Sequence, residues 1–240
     1  KVNENEPNDN WENVQAGGRL TSSFNEVDVG ISYFYGFDPA SHFASFPIKN
    51  LSVSGSISEQ SIKKGLNNPK NLTNEDIEVE YLRSHSVGSE FETTLGSFGL
   101  RGEAVYSDQR TFLTNSLTSI NTPTLFSVLG IDYTGENEIY MNLQFSHQQL
   151  FDYKKEVLYF KRHNLALNGE LSWEFARGTG EIGGRAIYYL SDESSYINPY
   201  FIWELISNLD IETGLDYLGG DKDSLLGFYR NNDQVYLKLT

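Results

Sequence analysis

From Trp11 onward, hydrophobic and polar residues alternate with a period of two, and the three-four spacing of an amphipathic helix hardly occurs. The clearest windows set Phe98, Leu100, Gly102, Ala104 and Tyr106 against Arg101, Glu103 and Ser107. Likewise Ile139, Met141, Leu143 and Phe145 oppose Tyr140, Asn142, Gln144 and Ser146. A third window sets Leu165, Leu167, Gly169, Leu171, Trp173 and Phe175 against Asn168, Glu170, Ser172 and Glu174. The same two-faced reading holds for 27–33, 182–190, 197–205 and 209–217. The pattern predicts an all-β chain of about eleven strands, each near the ~9–11 residues a tilted membrane strand needs and longer than the ~5–6 usual in soluble sheets. Residues 1–10 are polar and read as a loop or tail, not a strand.

Tight turns fall at Phe24-Asn25, Gly96-Ser97, 135–137, 178–180 and Ser207-Asn208. Longer polar loops occupy 37–76, 107–122, 149–162, 191–195 and 218–233. Short turns on one rim and long loops on the other is the rhythm of bacterial outer-membrane barrels, whose short turns are periplasmic. The outward aromatics fall in two groups: Tyr33, Tyr106, Phe145, Tyr188 and Tyr217 near the long-loop end, and Phe98, Tyr133 and Phe175 near the short-turn end. Two such belts are the lipid-facing girdles of a membrane barrel, where a ring rests between hydrocarbon and headgroups. The competing reading is that these rings form the core of a soluble carbohydrate-binding β-sandwich.

The other face decides between them. It carries Asp28, Glu90, Glu92, Glu103, Asp132, Glu170, Glu174, Glu181, Glu204, Asp210, Glu212 and Asp216, opposed only by Arg19, Arg101, Arg185 and Lys238. Unpaired buried charges are prohibitively costly, so this face meets water. The expected architecture is therefore a transmembrane antiparallel up-and-down β-barrel in the bacterial outer membrane, with these sixteen residues lining an acidic pore that enriches cations and small polar solutes. Cross-strand pairing that merely braces the wall is compatible with the same pattern. Counting strand directions from the short turns leaves an odd number, so the chain is expected to be the C-terminal part of a larger, even-stranded barrel.

Composition narrows the partners. The 240 residues carry 33 Asp+Glu against 18 Lys+Arg, a formal charge of -15, which argues against nucleic acid and anionic surfaces. No run approaches the roughly 18 apolar residues of a membrane helix. There is no Cys. Expected partners are outer-membrane lipid, small polar solutes and, in a scaffold role, another envelope protein; the oligomeric state is open.

The segment 214–239 (GLDYLGGDKDSLLGFYRNNDQVYLKL) resembles the closing hairpin of a broad group of Gram-negative outer-membrane barrels related to alginate-export-type porins. The segments 97–106 (SFGLRGEAVY), 128–133 (VLGIDY) and 139–144 (IYMNLQ) look like the same group. The resemblance covers most of 11–240 and implies a porin-like barrel, without naming a solute. Members usually finish on an aromatic residue, whereas this chain stops at Thr240, a departure that implies truncation.

Candidate chemistry is sparse. His42, His85, His147 and His163 show no paired ligand spacing, so neither a metal nor a cofactor is expected. Ser84-His85-Ser86 is a poor hydrolase site, because neighbours on a strand point to opposite faces. Asp221, Asp223 and Asp233 with Asn231 and Asn232 form an acidic loop whose spacing fits no EF-hand. Asn50 and Asn71 match the glycosylation pattern, which carries no weight in a bacterial barrel. The glycines at 178–184 are turn or strand glycines, since no helix follows to make a phosphate cradle. The run Phe43 to Ile57 in the longest loop reads equally as an inward constriction or an extracellular flap. No enzymatic turnover is expected. The leading expectation is a porin-like channel, and the alternative is a barrel that sheathes or anchors another envelope component.

Overall fold

A computed structural model describes residues 2–45, 75–135 and 137–240. Fourteen strands are present among them: β1 (Val2–Asn5), β2 (Ala16–Phe24), β3 (Val27–Phe37), β4 (His42–Ser45), β5 (Ile77–Glu80), β6 (Arg83–Leu95), β7 (Phe98–Leu113), β8 (Ser119–Thr134), β9 (Ile139–Leu150), β10 (His163–Phe175), β11 (Gly180–Tyr189), β12 (Ser194–Ile206), β13 (Leu209–Gly219) and β14 (Gln234–Leu239). Eleven of them form one antiparallel sheet in up-and-down order, β2-β3-β6 and then β7 through β14 in sequence. β2 and β14 are its two edges. The remaining three make a small sheet, with β5 between β1 and β4.

Backbone conformation at the short turns explains the hairpins. Asn25 and Glu26 both take positive φ (47 and 64), the geometry that matches strand twist across a two-residue connection. Gly96 does the same between β6 and β7 at φ 63.

Exposure separates the faces. Leu143 and Leu171 in mid-strand are 53% and 55% exposed, whereas Ser172, next in the chain, is 8% exposed. Asn198 and Tyr200, on the same face as Ser172, are 2% and 4% exposed. Side chains converge on the inside of a curved sheet and diverge on the outside, so the polar face is the concave one. No second layer packs on the apolar face among the described residues. The sandwich reading fails here, because it needs those apolar residues interleaved with a facing sheet.

The buried apolar residues lie elsewhere. Phe112, Leu150 and Val157 form a small cluster with Ile120, Tyr153 and Phe160 at the long-loop rim. By register Phe112, Ile120 and Leu150 belong to the polar, concave side. The 151–162 segment therefore folds back over that side, held by Asn115 N to Glu156 O (2.7 Å) and Leu158 N to Leu113 O (2.9 Å).

Two expected loops are structured. Residues 107–122 are chiefly a hairpin extension, since β7 and β8 run 16 residues each around a turn at 114–118, with a register shift between Ser107 and Arg110. This hairpin overreaches β6, and the buried Asp38 carboxylate takes the freed Thr111 N–H at 2.8 Å and lies 3.6 Å from Arg110. Most of its residues are polar, and its apolar ones, Phe112, Leu113, Leu117 and Ile120, do not keep a two-residue period, so alternation gave no signal. The 1–10 tail is likewise partly a strand: β1 pairs in parallel with β5 through backbone bonds that ask little of its side chains. Nearby, Tyr81 donates to Glu4 at 2.6 Å, and that carboxylate raises the phenol pKa above its ordinary value. The connection expected at 191–195 is a turn at 190–193. Of the run Phe43 to Ile57, only 43–45 belong to the described residues; the rest, with Asn50 and Asn71, lies outside them.

One row across the concave face alternates small and large. Gly183 on β11 faces Tyr200 on β12, which faces Gly214 on β13, which faces Tyr236 on β14. Each tyrosine ring lies across a glycine where a Cβ would otherwise stand. Substituting Gly183→Val should push the Tyr200 ring off its seat and cost about 1–3 kcal/mol, measured by urea unfolding in detergent. Placing a charge on the convex face by Leu171→Arg should cost roughly 2–4 kcal/mol in a bilayer. Unchanged bilayer stability in that variant would contradict a lipid contact at Leu171.

Candidate functional site: the carboxylate-rich concave face

Directly paired residues on neighbouring strands share a face, so the register places each predicted pore residue. Arg19 lies opposite Ser32, and Asp28 opposite Glu92, which in turn faces Arg101. Glu90 faces Glu103. Asp132, Glu170 and Arg185 fall in one row through Asn142, and Glu174 faces Glu181. Glu204 faces Asp210, Glu212 faces Lys238, and Asp216 faces Gln234. All sixteen share the concave face.

Each of the four bases there is engaged by a carboxylate. Arg19 Nε donates to Glu90 Oε1 at 2.7 Å, Arg185 Nε to Glu170 at 3.0 Å, and Lys238 Nζ to Glu212 at 3.4 Å. Arg101 pairs with Asp132. Such exposed pairs are worth about 0–1 kcal/mol each, so they arrange charge more than they stabilise the wall. Asp28, Glu92, Glu103, Glu174, Glu181, Glu204, Asp210 and Asp216 have no cation within ion-pair distance among the described residues. The face is therefore net acidic in fact and not only in composition.

Tyrosines organise one half of it. Tyr200 donates to Glu181 at 2.6 Å and lies 3.1 Å from Glu170, with the Arg185 guanidinium 4.2 Å above its ring. Tyr196 donates to Asp216 at 2.6 Å, and Tyr236 to Glu212 at 2.9 Å. Asn198, almost wholly buried, bridges Asp216 (3.0 Å) and Tyr236 (3.2 Å). The hydrogen bonds fall into two groups, one across β10, β11 and β12 and one across β12, β13 and β14, and they hold the carboxylates by charge-assisted bonds that a swinging side chain would lose. In the other half, Arg19, Asp28, Glu90, Glu92, Arg101 and Glu103 line a concavity of about 610 Å³. Sequence reasoning grouped these acids on one face but missed the tyrosines, whose only trace is the alternation of Gly and Tyr across four strands.

The predicted girdle residues Tyr33, Phe98, Tyr106, Tyr133, Phe145, Phe175, Tyr188 and Tyr217 all occupy the convex face. At the short-turn rim Phe98 and Tyr133 meet at 5.0 Å between centroids. Phe175 lies 5.4 Å from Trp173, 6.3 Å from Phe201 and 6.1 Å from Trp203. Trp173, Phe201 and Trp203 were not among the predicted girdle; the two-residue spacing of aromatics in 173–175 and 201–203 was the available signal.

The mouth of the concave side is narrowed at the long-loop rim. Besides 151–162, the 220–233 segment folds inward, with Leu225 N on Asp192 (2.7 Å) and Leu226 N near the fully buried Ser194 Oγ (3.4 Å). Tyr159 and Phe228 bring the two segments together at 6.4 Å.

The rejected motifs are dispersed. Ser84 donates to Asp108 at 3.2 Å, Ser86 meets Ser107 at 2.8 Å, and His85 Nδ1 meets Tyr33 at 2.8 Å, so no nucleophile–base pair forms. Asp233 accepts from Leu218 N at 2.9 Å. Among the described residues there is no group of three or more His, Cys, Asp or Glu that could hold a metal ion. Two histidines, however, do meet: His147 Nε2 and His163 Nδ1 are 3.1 Å apart.

No protein-family model matches the chain, and no curated protein matches it. Among solved structures it is similar to a mutant of the ferric enterobactin receptor of Pseudomonas aeruginosa, with a TM-score of 0.42 and 12% identity over 85% of this chain and 41% of that one. It is also similar to the outer-membrane expressed OmpT of Vibrio cholerae, with a TM-score of 0.41 and 9% identity over 86% of this chain and 79% of that one. The chain thus spans less than half the length of the first of these. Superpositions this partial assign it to no family.

Proposed function

We propose that the chain forms wall of a bacterial outer-membrane β-barrel channel whose concave face lines a water-filled, cation-favouring passage for small polar solutes. The observation that carries this reading is the division of the sheet: sixteen charged residues share one face, and most of the sheet's exposed apolar side chains share the other, Phe34, Val105 and Phe126 being exceptions on the charged face. One face calls for water and the other for hydrocarbon, and a barrel wall between lumen and lipid supplies both. Acids left without cations supply the sign of the selectivity. The resemblance to alginate-export-type porins is the narrower form of the same reading. Lipid contact for the aromatic belts follows from it.

A second reading, a barrel that sheathes or anchors another envelope component, is favoured by the inward fold of 151–162 and 220–233 over the concave side. Planar-bilayer conductance separates the two: an open channel conducts, whereas a plugged scaffold does not. For the channel, reversal potentials in a KCl gradient should show cation preference. Glu103→Gln, Glu174→Gln and Glu204→Gln together should lower that preference with the fold intact, because none of the three has a salt-bridge partner among the described residues to strand. An unchanged reversal potential would contradict the placement of these carboxylates in the conduction path.

A further inference from the structure

The histidine pair lies on the opposite face from the carboxylates. His147 on β9 faces Leu165 on β10, and His163 faces Gln149, so the two histidines are diagonal neighbours on the convex face beside the long-loop rim. Their rings are stacked, with centroids 5.3 Å apart and planes 20° apart. The strands beneath them are fixed: Leu150 N bonds to Arg162 O at 2.9 Å, and Leu165 N to Ser191 Oγ at 2.7 Å. His163 is exposed and His147 half-buried, so an ion in water can reach both.

Two ligands held roughly 2.0–2.1 Å from a tetrahedral metal are about 3.3–3.4 Å apart. The 3.1 Å between His147 Nε2 and His163 Nδ1 is within a few tenths of an ångström of that bite. Neither imidazole has a carboxylate partner among the described residues. The cations nearest in sequence are turned elsewhere, Lys161 to the Ser191 carbonyl and Arg162 to the Phe151 carbonyl. Two neutral rings facing one another can share only one hydrogen, and a metal ion satisfies both lone pairs at once.

We propose that His147 and His163 form a two-imidazole site for a divalent copper or zinc ion on the outer rim of the sheet, with solvent completing the coordination shell. Imidazole suits both metals, and copper binds such donors most tightly of the first-row divalent ions. A bound ion would staple β9 to β10 where the inward-folding 151–162 segment leaves the wall.

The test uses the full chain in detergent near neutral pH, with Cu²⁺ as the bare ion and electron paramagnetic resonance as the readout. The expected spectrum shows two equatorial nitrogens. His163→Gln and His147→Gln should each reduce it to one nitrogen or none and weaken binding by about tenfold or more, while His85→Gln leaves it unchanged. Zn²⁺, the weaker binder, should displace the copper only in large molar excess. Because His163 is exposed, its variant should keep the wild-type circular dichroism. Equal Cu²⁺ affinity in wild type and His163→Gln, a one-nitrogen spectrum in the wild type, or no binding would each overturn the site.

Discussion

The structure depends on the incompatibility of its two faces. A single sheet with Leu143, Leu171 and Ile182 bare on one side and a field of carboxylates on the other has no arrangement in which both sides face the same medium. In water alone the apolar face is an exposed patch far beyond what a soluble domain tolerates. In an apolar interior the acids are ruinous. Hydrogen bonding along eleven strands fixes the faces back to back, so the choice of medium is made once for the whole sheet.

Much of this was legible in the sequence because a strand offers only two facings, and a slip of one residue would invert every side chain at once. The windows around 98–106, 139–146 and 165–175 therefore fixed the faces of their strands. The rest was illegible for physical reasons. Strands β7 and β8 extend past β6 in a mostly polar stretch whose few apolar residues break the two-residue period, so the extension resembled a loop. Strand β1 rests on backbone pairing with a segment more than seventy residues away. The meeting of His147 and His163 across 16 residues is set by how far the intervening segment carries the chain before β10 begins, which no local spacing rule encodes.

The concave face is more ordered than a lining of free carboxylates would be. Tyr200 ties Glu170 to Glu181, Tyr196 and Tyr236 with Asn198 tie Asp216 to Glu212, and glycines at 183 and 214 leave room for two of the rings to lie flat. Rings seated on neighbouring strands cover backbone that glycine would otherwise leave bare. The acids of β3, β6 and β7 lack such tyrosines and surround open space instead. The two halves thus divide a braced wall from an accessible acidic groove.

Which medium each face meets is measured most directly strand by strand. The chain has no Cys, so single cysteines carrying spin labels can be placed along β10 from 167 to 173 in a reconstituted bilayer. Collision rates with oxygen should peak at Leu167, Gly169, Leu171 and Trp173, and those with a water-soluble nickel chelate at Asn168, Glu170 and Ser172. Loss of that two-residue alternation, or its inversion, would contradict lipid on the convex face and water on the concave one.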